Sequence, residues 1–252
     1  MTQVDCQHHF NSLFRHLVRL DHFIAKRLDI SERDARVRLI ERKILVDGKA
    51  ATDHQMEISR FSQVGIEDRV LQKAIQRHYL MLHKPVGILS ATQDPTHRTV
   101  LDLLDCPDKD SLHLAGRLDR SSSGLILLTN DGRWSESLTD PSHKVSKHYL
   151  VETDRPIPED AVAKFAAGFE FHPEGIVTRP TRLVLLAPCH ASVTLEEGRY
   201  HQIKRMFHRL DGIRLLSLHR DRIGAIALPD DLAPGEWRAL TPKEIQTVGD
   251  SC

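Results

Sequence analysis

His113-Leu114-Ala115-Gly116-Arg117-Leu118-Asp119-Arg120-Ser121-Ser122-Ser123-Gly124 runs straight into Leu125-Ile126-Leu127-Leu128-Thr129 and then Asn130-Asp131-Gly132. A short, wholly apolar run bounded by turn residues reads as a strand. Ahead of it a single carboxylate, Asp119, sits in a Gly- and Ser-rich loop between Arg117 and Arg120. Loops presented by a rigid strand are where reactive groups collect. Flanking cations suit a carboxylate that must work in its charged form. The same residues also fit a plainer role, in which Asp119 caps a turn or pairs with Arg117 or Arg120 and does nothing more.

Outward from this stretch, further strands are expected over 79–82, 149–153, 183–187 and 192–195, with helices near 159–167 and 201–210. Strands outnumber helices without strict alternation. The larger domain, 78–250, is therefore expected to be α+β, with a mixed, mostly antiparallel sheet flanked by helices. Upstream, Leu20, Phe23, Ile24 and Leu28 recur at helical spacing, and Ser31-Glu32-Arg33-Asp34 opens a second helix as a capping box. Arg33, Arg36, Arg38 and Arg42 follow. Ile44-Leu45-Val46 before Asp47-Gly48 predicts a hairpin, since glycine accepts the positive φ of the tight turn. Residues 18–62 thus form a small α/β module, 63–77 reads as a charged linker, and 1–17 as an extension without pattern.

The chain has 252 residues, 40% hydrophobic and 28% charged, with no net charge. No stretch approaches the roughly 18–20 apolar residues needed to span a bilayer, and Met1 to Phe10 lacks the pattern of a secretory signal. A cytoplasmic protein without membrane attachment is expected. The four cysteines form no CxxC pair. Cys6 with His8 and His9 is the nearest approach to a metal site, but no second cluster follows at zinc spacing, so no metal is expected. The neutral total hides two basic patches. Arg15 to Lys43 holds nine Lys/Arg against five Asp/Glu, and Glu197 to Arg222 seven against three. Two separated patches suit a phosphate backbone touched at two places, although ordinary solvated helix faces look the same.

Glu197-Gly198-Arg199-Tyr200-His201-Gln202-Ile203-Lys204-Arg205-Met206-Phe207 carries the second patch. Ile203, Met206, Phe207 and Leu210 make one buried helical stripe. Lys204 then lies at the stripe's edge, about 60° from Phe207, and Arg205 on the far face. Lys204 is the better partner for a shielded carboxylate, and Arg205 the better backbone contact; two surface cations would show the same spacing. In Lys147-His148-Tyr149-Leu150-Val151, Tyr149 opens an apolar strand as a core aromatic or a base-stacking platform, notable in a chain with 13 Phe, Trp and Tyr residues.

Together these segments resemble the RsuA-type pseudouridine synthases, which modify bacterial ribosomal RNA. Gly116–Asp119, the hydroxyl run Ser121–Ser123, Gly124-Leu125 and Asn130–Gly132 match the family's catalytic motif. Lys147, Tyr149 and Val151 match its Lys-x-Tyr-x-Val, and Gly198–Phe207 with Leu218–Gly224 its third motif. Lys84-Pro85 and Pro95–Leu104 resemble early motifs, Gly235–Arg238 a late one, and residues 19–60 the S4 RNA-binding module. Ser121 stands where relatives often carry an acidic residue, and His83 where Asn is usual. The helix and strand motifs look most like the branch acting on 16S rather than 23S rRNA.

The resemblance implies a monomeric enzyme that converts a uridine of 16S ribosomal RNA, free or in an assembling small subunit, without a cofactor. Asp119 would act at the sugar, Lys204 would pair with it, and Tyr149 would stack on the uracil. Arg117 would fill the space left by the flipped nucleotide, and Lys84, Arg199, Arg205, Arg33, Arg36, Arg38 and Arg42 would hold RNA. Two other classes remain open on residues alone: an RNA-binding or ribosome-assembly protein without catalysis, and a hydrolytic glycosidase. The latter commonly needs two carboxylates about 5–10 Å apart, where one strong candidate is found.

Overall fold

A computed structural model describes residues 17–172 and 174–249. The Cys6–His8–His9 group and all but the end of the 1–17 extension lie outside it. The chain divides into two compact units, 1–77 and 78–252.

In the first unit, β1 (Val18–Arg19) leads into α1 (Leu20–Leu28) and α2 (Glu32–Ile40). The Ser31 hydroxyl accepts the Asp34 N–H at 3.1 Å and donates to the Asp34 carboxylate, a variant of the expected capping box. The strands are β2 (Ile44–Val46), β3 (Lys49–Ala50), β4 (Glu57–Ile58), β5 (Val64–Ile66) and β6 (Arg69–Gln72). The turn between β2 and β3 has φ of 50° at Asp47 and 77° at Gly48, the primed hairpin geometry the pair suggested. The four-stranded sheet runs β3-β2-β5-β6, and β1 pairs with β4 separately. The stretch expected as a linker is therefore not one. Val64, Ile66 and Leu71 are buried in the unit's core with Leu20, Ile24 and Leu39. The charged Glu67-Asp68-Arg69 turn obscures two very short strands.

The second unit is built on β7 (Tyr79–Lys84), β8 (His113–Leu114), β9 (Ser123–Thr129), β10 (Lys147–Thr153), β11 (Glu170–Phe171), β12 (Ile176–Val177), β13 (Arg182–Ala187), β14 (His190–Leu195), β15 (Leu215–Ile223), β16 (Ile226–Ala227) and β17 (Trp237–Ala239). The helices are α3 (Gly132–Thr139), α4 (Ala161–Ala167), α5 (Gln202–His208) and α6 (Pro242–Gly249). The main sheet runs β13-β14-β10-β15-β9-β7-β17, with β8 beside β9 and β16 beside β15. Pairing is antiparallel except between β15 and β9. The sheet is thus mixed and mostly antiparallel, in an α+β fold.

β9 is apolar throughout because both its faces are covered. Ile126 and Leu128 join a core with Val151, Phe165 and Phe207, while Leu125 and Leu127 join another with Met81, Trp134 and Ile223. At the parallel seam Gly124 sits opposite Arg220 with φ +108°, and a Cβ there would meet the Arg220 carbonyl oxygen at 2.1 Å. Only glycine lets the two strands approach so closely. That seam brings the Asp119 loop against β15. Among the described residues no helix is long and apolar enough to cross a membrane, and no group of three or more His, Cys, Asp and Glu is placed to hold a metal.

Candidate active site

The loop that ends at β9 is fixed by its backbone. Ser90 donates to the Leu118 carbonyl at 2.6 Å and accepts the Leu118 N–H at 3.0 Å. The Asp119 carbonyl accepts from Ser122 N–H at 3.0 Å. From β15, Arg220 donates through Nε to the Leu125 carbonyl at 2.9 Å and through Nη1 to that of Arg117 at 3.3 Å. From β7, Lys84 donates to the carbonyls of Ser122 at 2.7 Å, Pro85 at 3.0 Å and Arg120 at 3.4 Å.

Lys84 was expected to hold RNA, and its burial corrects that expectation. Its exposure is 0% and its three contacts are all backbone carbonyls of this chain, so it braces the Asp119 loop from beneath. Burial lowers its pKa from 10.5 to about 8, against the opposing pull of Asp119. A basic residue in a motif looks like a phosphate contact until its partners are known.

Above this frame lies a cavity of about 90 Å³ whose lining includes Arg117, Asp119, Tyr149, Arg199, His201 and Lys204. On α5, Ile203, Met206 and Phe207 are buried and turn Lys204 toward the loop. Lys204 Nζ lies 2.6 Å from Asp119 Oδ2 and 2.9 Å from Ser121 Oγ. His201 Nε2 lies 3.3 Å from the other oxygen, Oδ1. The carboxylate thus faces a basic group at each oxygen. The sequence reading placed His201 only in a basic patch. Helical spacing could not have found it, because His201 precedes α5 with left-handed backbone, φ 49°, and that turn is what aims its ring at Asp119.

Tyr149 is buried on β10, with the Arg220 guanidinium 6.0 Å from its ring centre, and Arg117 is exposed at the rim. Arg199 is held by Glu197, whose buried carboxylate accepts Arg199 Nε at 3.0 Å and Gln202 Nε2 at 2.6 Å. Arg205 lies elsewhere. Its guanidinium covers the Phe171 ring at 3.8 Å and pairs with Glu174 at 2.9 Å, so it is not the open backbone contact expected of it. The short β11 strand packs over the helix face that spacing left to solvent.

In the first unit Arg33 and Arg42 are exposed and Arg38 half-buried. Arg36 is engaged, pairing with buried Asp21 at 3.0 Å and with Glu32 at 3.3 Å. Burial alone would raise the Asp21 pKa, but hydrogen bonds from Arg19 and Arg36 outweigh it and hold the group below its usual value. Arg36 therefore serves the fold of the module first.

The site is thus a carboxylate presented by a strand-borne loop, with a basic group at each oxygen, facing a cavity with a buried tyrosine. The chain belongs to the RNA pseudouridylate synthase family, which it matches over residues 78–209. Among curated relatives, the ribosomal small subunit pseudouridine synthase A of Pseudomonas aeruginosa is 47% identical over 231 residues, covering 92% of this chain and all of that protein. The protein of the same name from Escherichia coli K12 is 41% identical over 231 residues, with the same coverage. A crystal structure of a pseudouridylate synthase superposes with a TM-score of 0.67 at 35% identity, covering 92% of this chain and 99% of its own.

Proposed function

We propose that this protein converts a uridine of 16S ribosomal RNA to pseudouridine, with Asp119 acting at the sugar of the flipped nucleotide. The observation that carries this is the Asp119 carboxylate, held at 2.6 Å by Lys204 in a cavity shared with Tyr149. The small-subunit target is supported by the names of relatives matched along 92% of the chain.

The reaction breaks the N1–C1′ bond, turns the uracil and joins C5 to C1′, an isomerisation that oxidises and hydrolyses nothing. It needs a carboxylate at the sugar, a site shielded from bulk water and a surface for the detached base. Asp119 supplies the first, either by attack on C1′ or by removing the 2′ proton. Lys204 holds the carboxylate in position for the sugar. Tyr149 packs against the uracil while it turns. Arg117, on the rim, occupies the space the nucleotide leaves, offsetting an extrusion cost of a few kcal/mol. Residues 18–77 act as an S4-type RNA-binding module, with Arg33 and Arg42 as the open phosphate contacts.

Transcripts of 16S and 23S rRNA labelled with tritium at uracil C5 test the reading. Isomerisation of one uridine in 16S releases one equivalent of tritium to water. Release from 23S alone would move the target to the large subunit. Binding without release would make the chain a non-catalytic RNA-binding protein, and free uracil would make it a glycosidase.

A further inference from the structure

Of the three tyrosines, Tyr149 is buried and Tyr79 half-buried, while Tyr200 is 77% exposed. A ring left that open forgoes the apolar burial that usually recruits an aromatic residue. It is nonetheless held in place. Tyr200 stacks on His201 with ring centres 3.9 Å apart and planes 21° from parallel. Sequence neighbours do not ordinarily stack, because successive side chains point to opposite faces of a strand and about 100° apart on a helix. His201 has left-handed backbone, φ 49°, which is uncommon for a residue with a side chain and recurs at functional sites. That turn brings the two rings together. Since His201 Nε2 also lies 3.3 Å from Asp119 Oδ1, the stack runs from the reactive carboxylate out to solvent.

We propose that Tyr200 is a stacking shelf for a nucleobase that flanks the flipped uridine in the RNA strand. The inference rests on the reading of the chain as an rRNA pseudouridine synthase. His201 covers one face of the Tyr200 ring and the other lies open. Flipping a uridine so that its sugar meets Asp119 leaves a neighbouring base without its stacking partner at the cavity mouth. An aromatic face takes any base, and this is how single-stranded RNA is commonly anchored. Arg199 and Lys204 in the cavity lining are matched by the carboxylates of Glu197 and Asp119, which leaves exposed Arg117 as a cation for the phosphate of a strand entering there.

The test uses the full-length protein and a 16S rRNA fragment carrying 2-aminopurine beside the target uridine. Wild type and Tyr200→Phe quench the fluorophore on binding, because stacking needs the ring and not the hydroxyl. Tyr200→Ala leaves it bright and weakens binding by about tenfold, within the range for loss of one base–aromatic stack. An abasic site at the same position weakens wild type to a similar degree and leaves Tyr200→Ala unaffected, a coupling that a merely structural role would not produce. Quenching by Tyr200→Ala, or equal penalties for the abasic site in both proteins, would overturn the shelf. Failure of the functional reading looks different, since wild type would then release no tritium from any rRNA.

Discussion

Asp119 meets a different group at each oxygen, and the two contacts are unequal: Lys204 at 2.6 Å and His201 at 3.3 Å. Replacing Lys204 by Met removes the shorter one and leaves the carboxylate poorly placed. We expect the single-turnover rate to fall by about 10²-fold, the scale of a reacting group misplaced by about 1 Å, with RNA affinity changed only a few-fold. Arg205→Met, one residue on, should leave the rate near wild type and instead lower stability by about 1 kcal/mol, because it uncovers Phe171 and breaks the Glu174 pair. Rate measurements and urea titrations on both variants check this; loss of chemistry in Arg205→Met would contradict the geometry. Lys204 was legible from spacing because a stripe edge follows from 100° per residue. Lys84 and Arg205 were not, since a cation's partners come from other segments of the chain. Lys84 carries its own prediction. Its pKa is lowered by burial to about 8 from 10.5, so between those values the unfolded chain holds a proton the folded chain has released. Stability linked to this group therefore rises as pH climbs from about 8 toward 10.5, and is flat below about 8, where both states are protonated. Lys84→Met should remove that increment, so urea titrations at about pH 7.5 and about pH 9.5 should show a shallower pH slope than wild type. Equal slopes would mean that the Lys84 ammonium is not buried as described.

At the scale of elements, the parallel seam between β9 and β15 holds the site together. Gly124→Ala places a Cβ against the Arg220 carbonyl in a backbone conformation that disfavours side chains. The expected cost is about 2–4 kcal/mol, from strain and forced strand separation. Thermal unfolding should show it, and a melting temperature within a degree of wild type would contradict the seam geometry. The strands β7, β9, β10, β13 and β14 and the helices α4 and α5 were legible because each carries an uninterrupted apolar pattern. β15, nine residues long and central to the sheet, was not. Its His219-Arg220-Asp221-Arg222 run hides the alternation, because Arg220 is buried for the sake of two backbone carbonyls and not for apolar contact. β5 and β6 were lost because Glu67-Asp68-Arg69 separates the few apolar residues that pack, Val64 and Ile66 on one side and Leu71 on the other.

For the whole molecule, we propose that the first unit holds RNA and the second carries the chemistry. The unit boundary falls between Arg77 and His78, so removing residues 1–77 takes away the module whole, whereas a cut at 62 would sever β5 and β6 from their sheet. The 78–252 fragment should bind structured rRNA more weakly and with a flatter salt dependence, the slope of log K against log salt falling by about 1–2 as two or so phosphate contacts are lost. An unchanged slope would mean that the first unit does not touch the RNA backbone. The central claim is narrower: one carboxylate, Asp119, carries the isomerisation. Its most direct test is tritium release from C5-labelled 16S rRNA by Asp119→Asn at saturating RNA, beside a binding measurement on the same protein. The side chain keeps its shape and loses its charge, so release should fall to background while affinity stays within a few-fold of wild type. Release within tenfold of wild type would contradict the account and remove Asp119 from the mechanism.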